Sequence, residues 1–265
     1  MPRTRPTSPA TTIRIGTAGW TLPKQHAHHF PAEGSHLERN AAGFSCVEIN
    51  SSFHRPHMLK TWQRWAATTP ENFRFSVKMP KQITHQAKLI NAGAAIQTFL
   101  DQVRGLGEKL GPILIQLPPK QAFDEGLVHE FLTTYRELAP EEITVLEPRH
   151  ASWFNPAVDR FLREFAISRV AADPPKGGPL AAKPGGLQTL RYYRLHGAPR
   201  TYYSEYTKAS LKSFAATLRD ETPAATRETW VIFDNTALGH ATENALTLQS
   251  LLRPKPTAKN KSPKP

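Results

Sequence analysis

The stretch Ile143-Thr-Val-Leu-Glu-Pro-Arg-His150 ends an apolar, β-branched run in three groups able to do chemistry: Glu147, Arg149 and His150. A run this apolar suits a strand buried on both faces, and Pro148 halts it. The charged groups then sit at its C-terminal end. A carboxylate held by a cation suits acid–base work. The plainer reading is an ion pair that closes a strand end.

The same arrangement recurs along the chain. Eight short apolar runs, at 13–17, 45–49, 73–77, 112–117, 143–147, 167–172, 190–196 and 229–234, read as strands. Between them lie helical stripes, such as Ile96, Phe99, Leu100 and Val103, or Leu127, Val128, Phe131, Leu132 and Tyr135. Strands alternating with helices imply parallel pairing. Eight such units predict a single α/β domain of the (β/α)8 TIM-barrel type over residues 13–252, with an open doubly wound sheet as the competitor. No Gly-x-Gly-x-x-Gly or Walker lysine motif supports a nucleotide-binding version of that competitor. The sixth unit has no helix signal: residues 174–189 predict an irregular loop over the barrel mouth.

Strand side chains alternate faces. With the apolar face turned to the helices, the second run leaves Cys46, Glu48 and Asn50 facing inward. The third leaves Ser76 and Lys78, the fourth Leu114 and Gln116, and the seventh Tyr192, Arg194 and His196. Glu147 and Arg149 share a face with Val145, Asp173 shares one with Ala171, and the eighth run leaves open whether Asp234 or Asn235 points in. The expected mouth sets Glu48, Glu147 and Asp173 against Lys78, Arg149 and Arg194, with His196 beside them. Such charges are costly to bury unless paired.

Net charge is +12, and residues 1–12 and 253–265 supply +7 of it with no acid between them. These Pro-rich basic tails read as disordered. They suit solubility, or non-specific attraction of nucleic acid. One cysteine, Cys46, excludes an internal disulfide and suits a cytoplasmic setting. No run of residues is apolar enough to span a membrane.

Several segments in order resemble those of the domain of unknown function 72, or YecE-like, family. They are Ile15-Gly-Thr-Ala-Gly-Trp20, Val47-Glu-Ile-Asn-Ser-Ser-Phe53, Phe75-Ser-Val-Lys78, Gln116-Leu-Pro-Pro119, Glu147-Pro-Arg149 with Ser152-Trp153, Tyr193-Arg-Leu-His-Gly197, Tyr202-Tyr-Ser-Glu-Tyr206 and Phe233-Asp-Asn235. The resemblance implies a TIM-type barrel and no established reaction. Two places depart from it: Ser52-Phe-His-Arg55 replaces a usual Thr-Phe-Tyr-Arg, and the Thr21–Gly34 loop carries His26, His28 and His29 where the family has a second tryptophan.

The resulting expectation is an enzyme, of hydrolase, lyase or isomerase type, for a small anionic or polyhydroxyl substrate. Glu147 and His196 do acid–base work, with Glu48 and Asp173 orienting them. Substrate contacts fall to Lys78, Arg149, Arg194, His150, Gln116, Asn50 and Asn235, and to the aromatics Trp20, Phe53, Trp153 and Tyr202. No cofactor is specified. A divalent metal on Glu48, Glu147, Asp173 and His196 is chemically suitable, but the three cations compete for those carboxylates. The alternatives are a nucleic-acid-binding or metal-dependent endonuclease-like protein, and a barrel that binds a ligand without catalysis.

Overall fold

The computed structural model describes residues 11–253. The two basic tails therefore lie almost wholly outside the described residues. The body begins slightly earlier than the sequence suggests, because Thr12 already pairs with Glu228.

Ten strands form one nearly closed, barrel-shaped sheet: β1 (Thr12–Ala18), β2 (Cys46–Ile49), β3 (Arg74–Lys78), β4 (Leu110–Gln116), β5 (Thr144–Glu147), β6 (Ile167–Arg169), β7 (Ala171–Asp173), β8 (Gly185–Gly186), β9 (Leu190–Leu195) and β10 (Glu228–Phe233). Their order is β7-β9-β10-β1-β2-β3-β4-β5-β6-β8. All neighbours are parallel except β6 with β8. The helices are α1 (His36–Gly43), α2 (Ser51–His54), α3 (Leu59–Ala67), α4 (Gly93–Val103), α5 (Glu125–Leu138), α6 (Pro156–Glu164), α7 (Lys208–Asp220) and α8 (His240–Leu252).

Helix starts follow local chemistry. Ser35 and Glu38 close a reciprocal capping box on α1, and the Asn155 side chain accepts from Ala157 and Val158 ahead of Pro156 on α6. Strand parity sorts the core into layers. Val47, Ile49, Phe75, Val77, Ile113 and Ile115 pack outward under the helices, while Cys46, Leu114, Val145, Val170, Tyr192, Trp230 and Ile232 fill the interior. Cys46 is fully buried, and desolvation pushes its thiol up, so it packs rather than reacts.

The sixth unit is where the sheet differs from expectation. The run 167–172 is two strands: β6 pairs with β5, and β7 pairs with β9. Between them Val170 turns into the interior and its N–H still bonds Leu146 O at 2.9 Å. Residues 185–187 do not cross the mouth. They return along the free edge of β6, with Leu187 N–H on Ile167 O at 2.8 Å. An open edge carries unpaired peptide groups, and β8 satisfies them. Glycine is needed there: a Cβ on Gly185 would lie 2.3 Å from Asp159 Oδ1, and Gly186 has φ +62°.

The same corner holds Arg169, only 2% exposed, whose guanidinium bonds Asp159 Oδ1 at 2.8 Å and the carbonyls of Leu180 and Lys183. Asp159→Ala should lower unfolding free energy by about 3 kcal/mol in urea titration, because it strands a buried cation. A loss within the error of the titration would refute this role.

Candidate functional site

Six side chains from four strand ends form a buried circuit. Arg194, at the C-terminal end of β9, is its hub. It grips Glu48 of β2 with two bonds, Nε to Oε2 at 3.0 Å and Nη2 to Oε1 at 2.7 Å. Nη1 donates to Glu147 Oε2 at 2.6 Å, and Nη2 also donates to Asp234 Oδ2 at 2.9 Å. The planar fork of arginine makes this three-carboxylate grip possible; lysine has no equivalent geometry.

His196 closes the circuit. Its Nδ1 lies 2.9 Å from Asp234 Oδ2 and its Nε2 3.2 Å from Glu147 Oε1. Ionised carboxylates only accept, so both contacts are satisfied by the doubly protonated ring. Arg149 adds Nε and Nη2 contacts to Glu147 Oε1 at 3.2 and 3.1 Å. Beneath, Tyr192 OH lies 2.9 Å from Glu48 Oε2 and 2.8 Å from Ser76 Oγ.

The electrostatics follow from this pairing. Burial alone would push Glu147 up, but Arg194, then Arg149 and His196, outweigh it and hold the carboxyl well below its usual range. Burial would likewise raise Asp234, and Arg194 with His196 brings it down. Burial and Arg194 would lower His196; Glu147 and Asp234 overcome both and raise it. Burial would lower Arg194, and Glu48, Glu147 and Asp234 lift it well above the ordinary value. Burial dominates at Lys78, with Arg194 adding to it, and its amine falls to about 8.

Glu48, Glu147, Arg149, Arg194 and His196 thus converge as expected, while Asp173 does not. It shares its face with Ala171, which packs on Tyr193, Leu195 and Leu211 on the helix side. Its Oδ2 accepts from Tyr206 OH at 2.6 Å, away from the circuit. The run Val170-Ala-Ala-Asp173 has small residues on both faces, so parity was not legible in the sequence. Asp234 supplies the third carboxylate instead. The inward packing of Trp230 and Ile232 was the signal that fixes it.

Other expected contacts are structural. Asn235 is fully buried and bonds Ser204 O at 3.0 Å and Asn244 Oδ1 at 2.8 Å, bracing the loop to α8. Trp153 is also fully buried, with its indole N–H on Gln121 O at 3.0 Å, so no ligand can stack on it. Trp20 stands edge-on to Trp65 at 4.9 Å on the outer layer. His150 caps the short turn 151–153, with Nδ1 2.9 Å from Ser152 Oγ. Gly197 lets backbone approach closely: a Cβ there would meet Ser204 O at 2.6 Å.

At the rim, Tyr202 is 40% exposed and stands edge-on to His196 at 5.8 Å. Gln116 is buried beside Glu147 in the β4–β5 register, and Asn50 presents a buried Oδ1 without a hydrogen-bond partner. The Lys78 amine sits 4.0 Å from the centre of the Phe53 ring. The cavity directly beside Glu147, Arg149 and His196 is about 10 Å³, room for about one water. A larger groove of about 680 Å³ begins at Phe53 and runs outward past His57 and Gln82. It is the more spacious feature, yet it lies away from the charged circuit. Of the histidine loop, His28 and His29 are exposed and His26 lies 3.9 Å from Glu243.

The four groups that could suit a divalent metal are not brought together. Asp173 is turned away, and the carboxylate oxygens that remain face guanidinium and imidazole donors. Among the described residues no group of three or more His, Cys, Asp or Glu side chains is placed to hold a metal ion. No helix among them is long and apolar enough to cross a membrane.

A barrel-shaped parallel sheet with ionisable groups gathered at its strand ends defines an α/β barrel-like protein with a pre-formed polar site. The chain belongs to the family described as "Protein of unknown function DUF72", whose model matches residues 14–265. It is 28% identical to the UPF0759 protein YecE of Escherichia coli K12 over 169 residues, which is 61% of this chain and 59% of that protein. It is 24% identical to the UPF0759 protein YunF of Bacillus subtilis over 91% of this chain and 94% of that one. Among solved structures, a DUF72 protein of Enterococcus faecalis superposes with TM-score 0.78 at 22% identity, covering 93% of this chain and all of that one. One from Thermotoga maritima gives 0.75 at 26% identity, covering 91% and 99%.

Proposed function

We propose that this chain is a (β/α)8 barrel enzyme that acts on a small anionic or polyhydroxyl substrate by acid–base chemistry at the C-terminal ends of its strands. The eightfold reading treats β6 and β7 as two halves of one strand and β8 as the filler of its open edge. A cytoplasmic setting fits the single, buried cysteine. One observation carries the functional reading: the buried ring of His196, held between the carboxylates of Glu147 and Asp234 at the end of barrel strands, where barrel enzymes place their chemistry.

In this reading His196 is the acid. Once it has given up its proton, the neutral ring retains one N–H for Asp234 or Glu147 and can accept a proton back. Arg194 keeps Glu147 and Asp234 ionised, so the proton stays on the imidazole rather than on a carboxylate. Arg149, with its side chain 13% exposed, presents the cationic face to the substrate. Tyr202 covers the imidazole at the rim.

The test is a thermal-shift screen of sugar acids, sugar phosphates and polyols, followed by turnover assays on the binders. Glu147→Gln and His196→Gln should each cut kcat by roughly a hundredfold or more, with circular dichroism unchanged. Undiminished turnover in both variants would sink the assignment. Binding without turnover would instead make the barrel a ligand-binding protein.

A further inference from the structure

The charges at the strand ends balance without Lys78. Glu48, Glu147 and Asp234 are matched by Arg194, Arg149 and the His196 imidazolium. Lys78 is the surplus group. Its residue is only 9% exposed, yet among the described residues its amine has neither an ion pair nor a hydrogen bond. It lies over the face of Phe53, with Nζ 4.0 Å from the ring centre. The carboxylates that act on it, Glu48 of β2, Glu147 of β5 and Asp234 after β10, are all committed to other donors. The cation that acts against its charge is Arg194, and His85, which packs edge-on to Phe53, has its own ring lowered by burial, Lys78 and Arg149.

A mostly buried lysine whose amine has no counter-ion is poorly suited to binding by charge and well suited to attack. From this geometry we infer that Lys78 is a covalent nucleophile and that the site, with room for about one water beside Glu147, Arg149 and His196 when empty, opens to take a small 2-oxo acid, whose carbonyl carbon the amine attacks to form an imine. The inference rests on the acid–base reading above and names its substrate class.

The steps balance. The nitrogen lone pair forms the C–N bond as the carbonyl π pair moves onto oxygen, and a proton passes from nitrogen to that oxygen. His196 then protonates the hydroxyl, which leaves as water as the nitrogen lone pair closes the C=N bond. Neutral amine, ketone and one proton become iminium and water. His196 loses its positive charge as the iminium gains one, so the site stays balanced through the step. An oxo acid rather than a neutral aldehyde is favoured by the spare donor of Arg149. Arg149 is positioned to receive the acid: Nε and Nη2 hold Glu147, and Nη1 has no partner among the described residues. The depressed amine supports the chemistry, because about 8 against an ordinary 10.4 gives roughly two-hundredfold more neutral amine at pH 7.

The full chain is incubated with pyruvate and sodium cyanoborohydride at pH 7, then digested and mapped by mass spectrometry. Carboxyethylation at Lys78 should exceed that at exposed Lys60 and Lys208 by on the order of tenfold, and should vanish in Lys78→Arg. Competitive acetylation of the unliganded protein should independently give Lys78 the lower apparent pKa. Uniform labelling of all three lysines, or a surface-like pKa at Lys78, overturns the inference. Failure of the two readings separates cleanly. If pyruvate raises the melting temperature of the wild type but not of Arg149→Met, and no adduct forms, the imine fails while the acid–base site stands. If no compound in the wider screen binds either, both fail.

Discussion

Arg194→Met should leave the protein largely unfolded at neutral pH. The substitution removes the donor shared by Glu48, Glu147 and Asp234, all of them buried. Breaking one buried ion pair by deleting a partner costs about 3–5 kcal/mol. Here three carboxylates lose the same guanidinium, so a loss of at least about 5 kcal/mol is expected. That is comparable to the whole stability of many domains, about 5–15 kcal/mol. The pH dependence should also reverse. In the wild type Glu147 and Asp234 are depressed, so their contribution is complete above the unfolded carboxylate range and is lost as acid reaches their folded values. Without Arg194 burial dominates and their folded pKa values rise. The variant's stability should then fall as pH increases above about 4, where unfolded carboxylates ionise. Arg194→Lys should recover only part, since an ammonium cannot hold Glu48 through two parallel bonds. Urea titrations at pH 5 and pH 7 check both the size and the reversal. A variant as stable as wild type at pH 7 would remove the circuit from any account of this fold.

Lys78→Met is expected to stabilise the protein, which is unusual for a buried polar residue. The amine's folded value, about 8, lies below its unfolded value of about 10.4. Between these the unfolded chain binds more protons than the native one, so wild-type stability rises with pH across that window. Below pH 8 the deficit is present in full. Methionine keeps the unbranched apolar stem over Phe53 and removes the unpaired charge. A gain of about 2 kcal/mol at pH 7 is expected, shrinking toward zero above about pH 10. Parallel melts of the two proteins between pH 6 and pH 10 give the difference curve. A destabilised variant, or a gain that does not change with pH, contradicts the unpaired amine. Such a trade, stability given up to keep a reactive group, is what functional sites commonly show.

Much of this was written in the chain. Alternation of apolar residues places Val47, Phe75, Ile113 and Leu195 under the helices, and so turns Glu48, Lys78 and Arg194 inward. Period-2 geometry decides such faces wherever one face is clearly apolar. It failed at Val170-Ala-Ala-Asp173, where both faces carry small side chains, and there only the packing of Ala171 on Leu195 and Leu211 showed Asp173 turning out. The break of the sixth strand at Val170, and its edge filled by Gly185–Gly186, are likewise tertiary, because a two-residue strand has no periodicity to read.

The sequence by itself determined that Glu48, Lys78, Glu147, Arg149, Arg194 and His196 reach the strand ends. Only the tertiary structure decided how they pair: that Arg194 holds three carboxylates, that Asp234 stands where Asp173 was expected, and that Lys78 is left over. The physical reason is that facing is a local property of one strand. Pairing depends on distances between ends of strands far apart in the chain, and no one-dimensional pattern carries those.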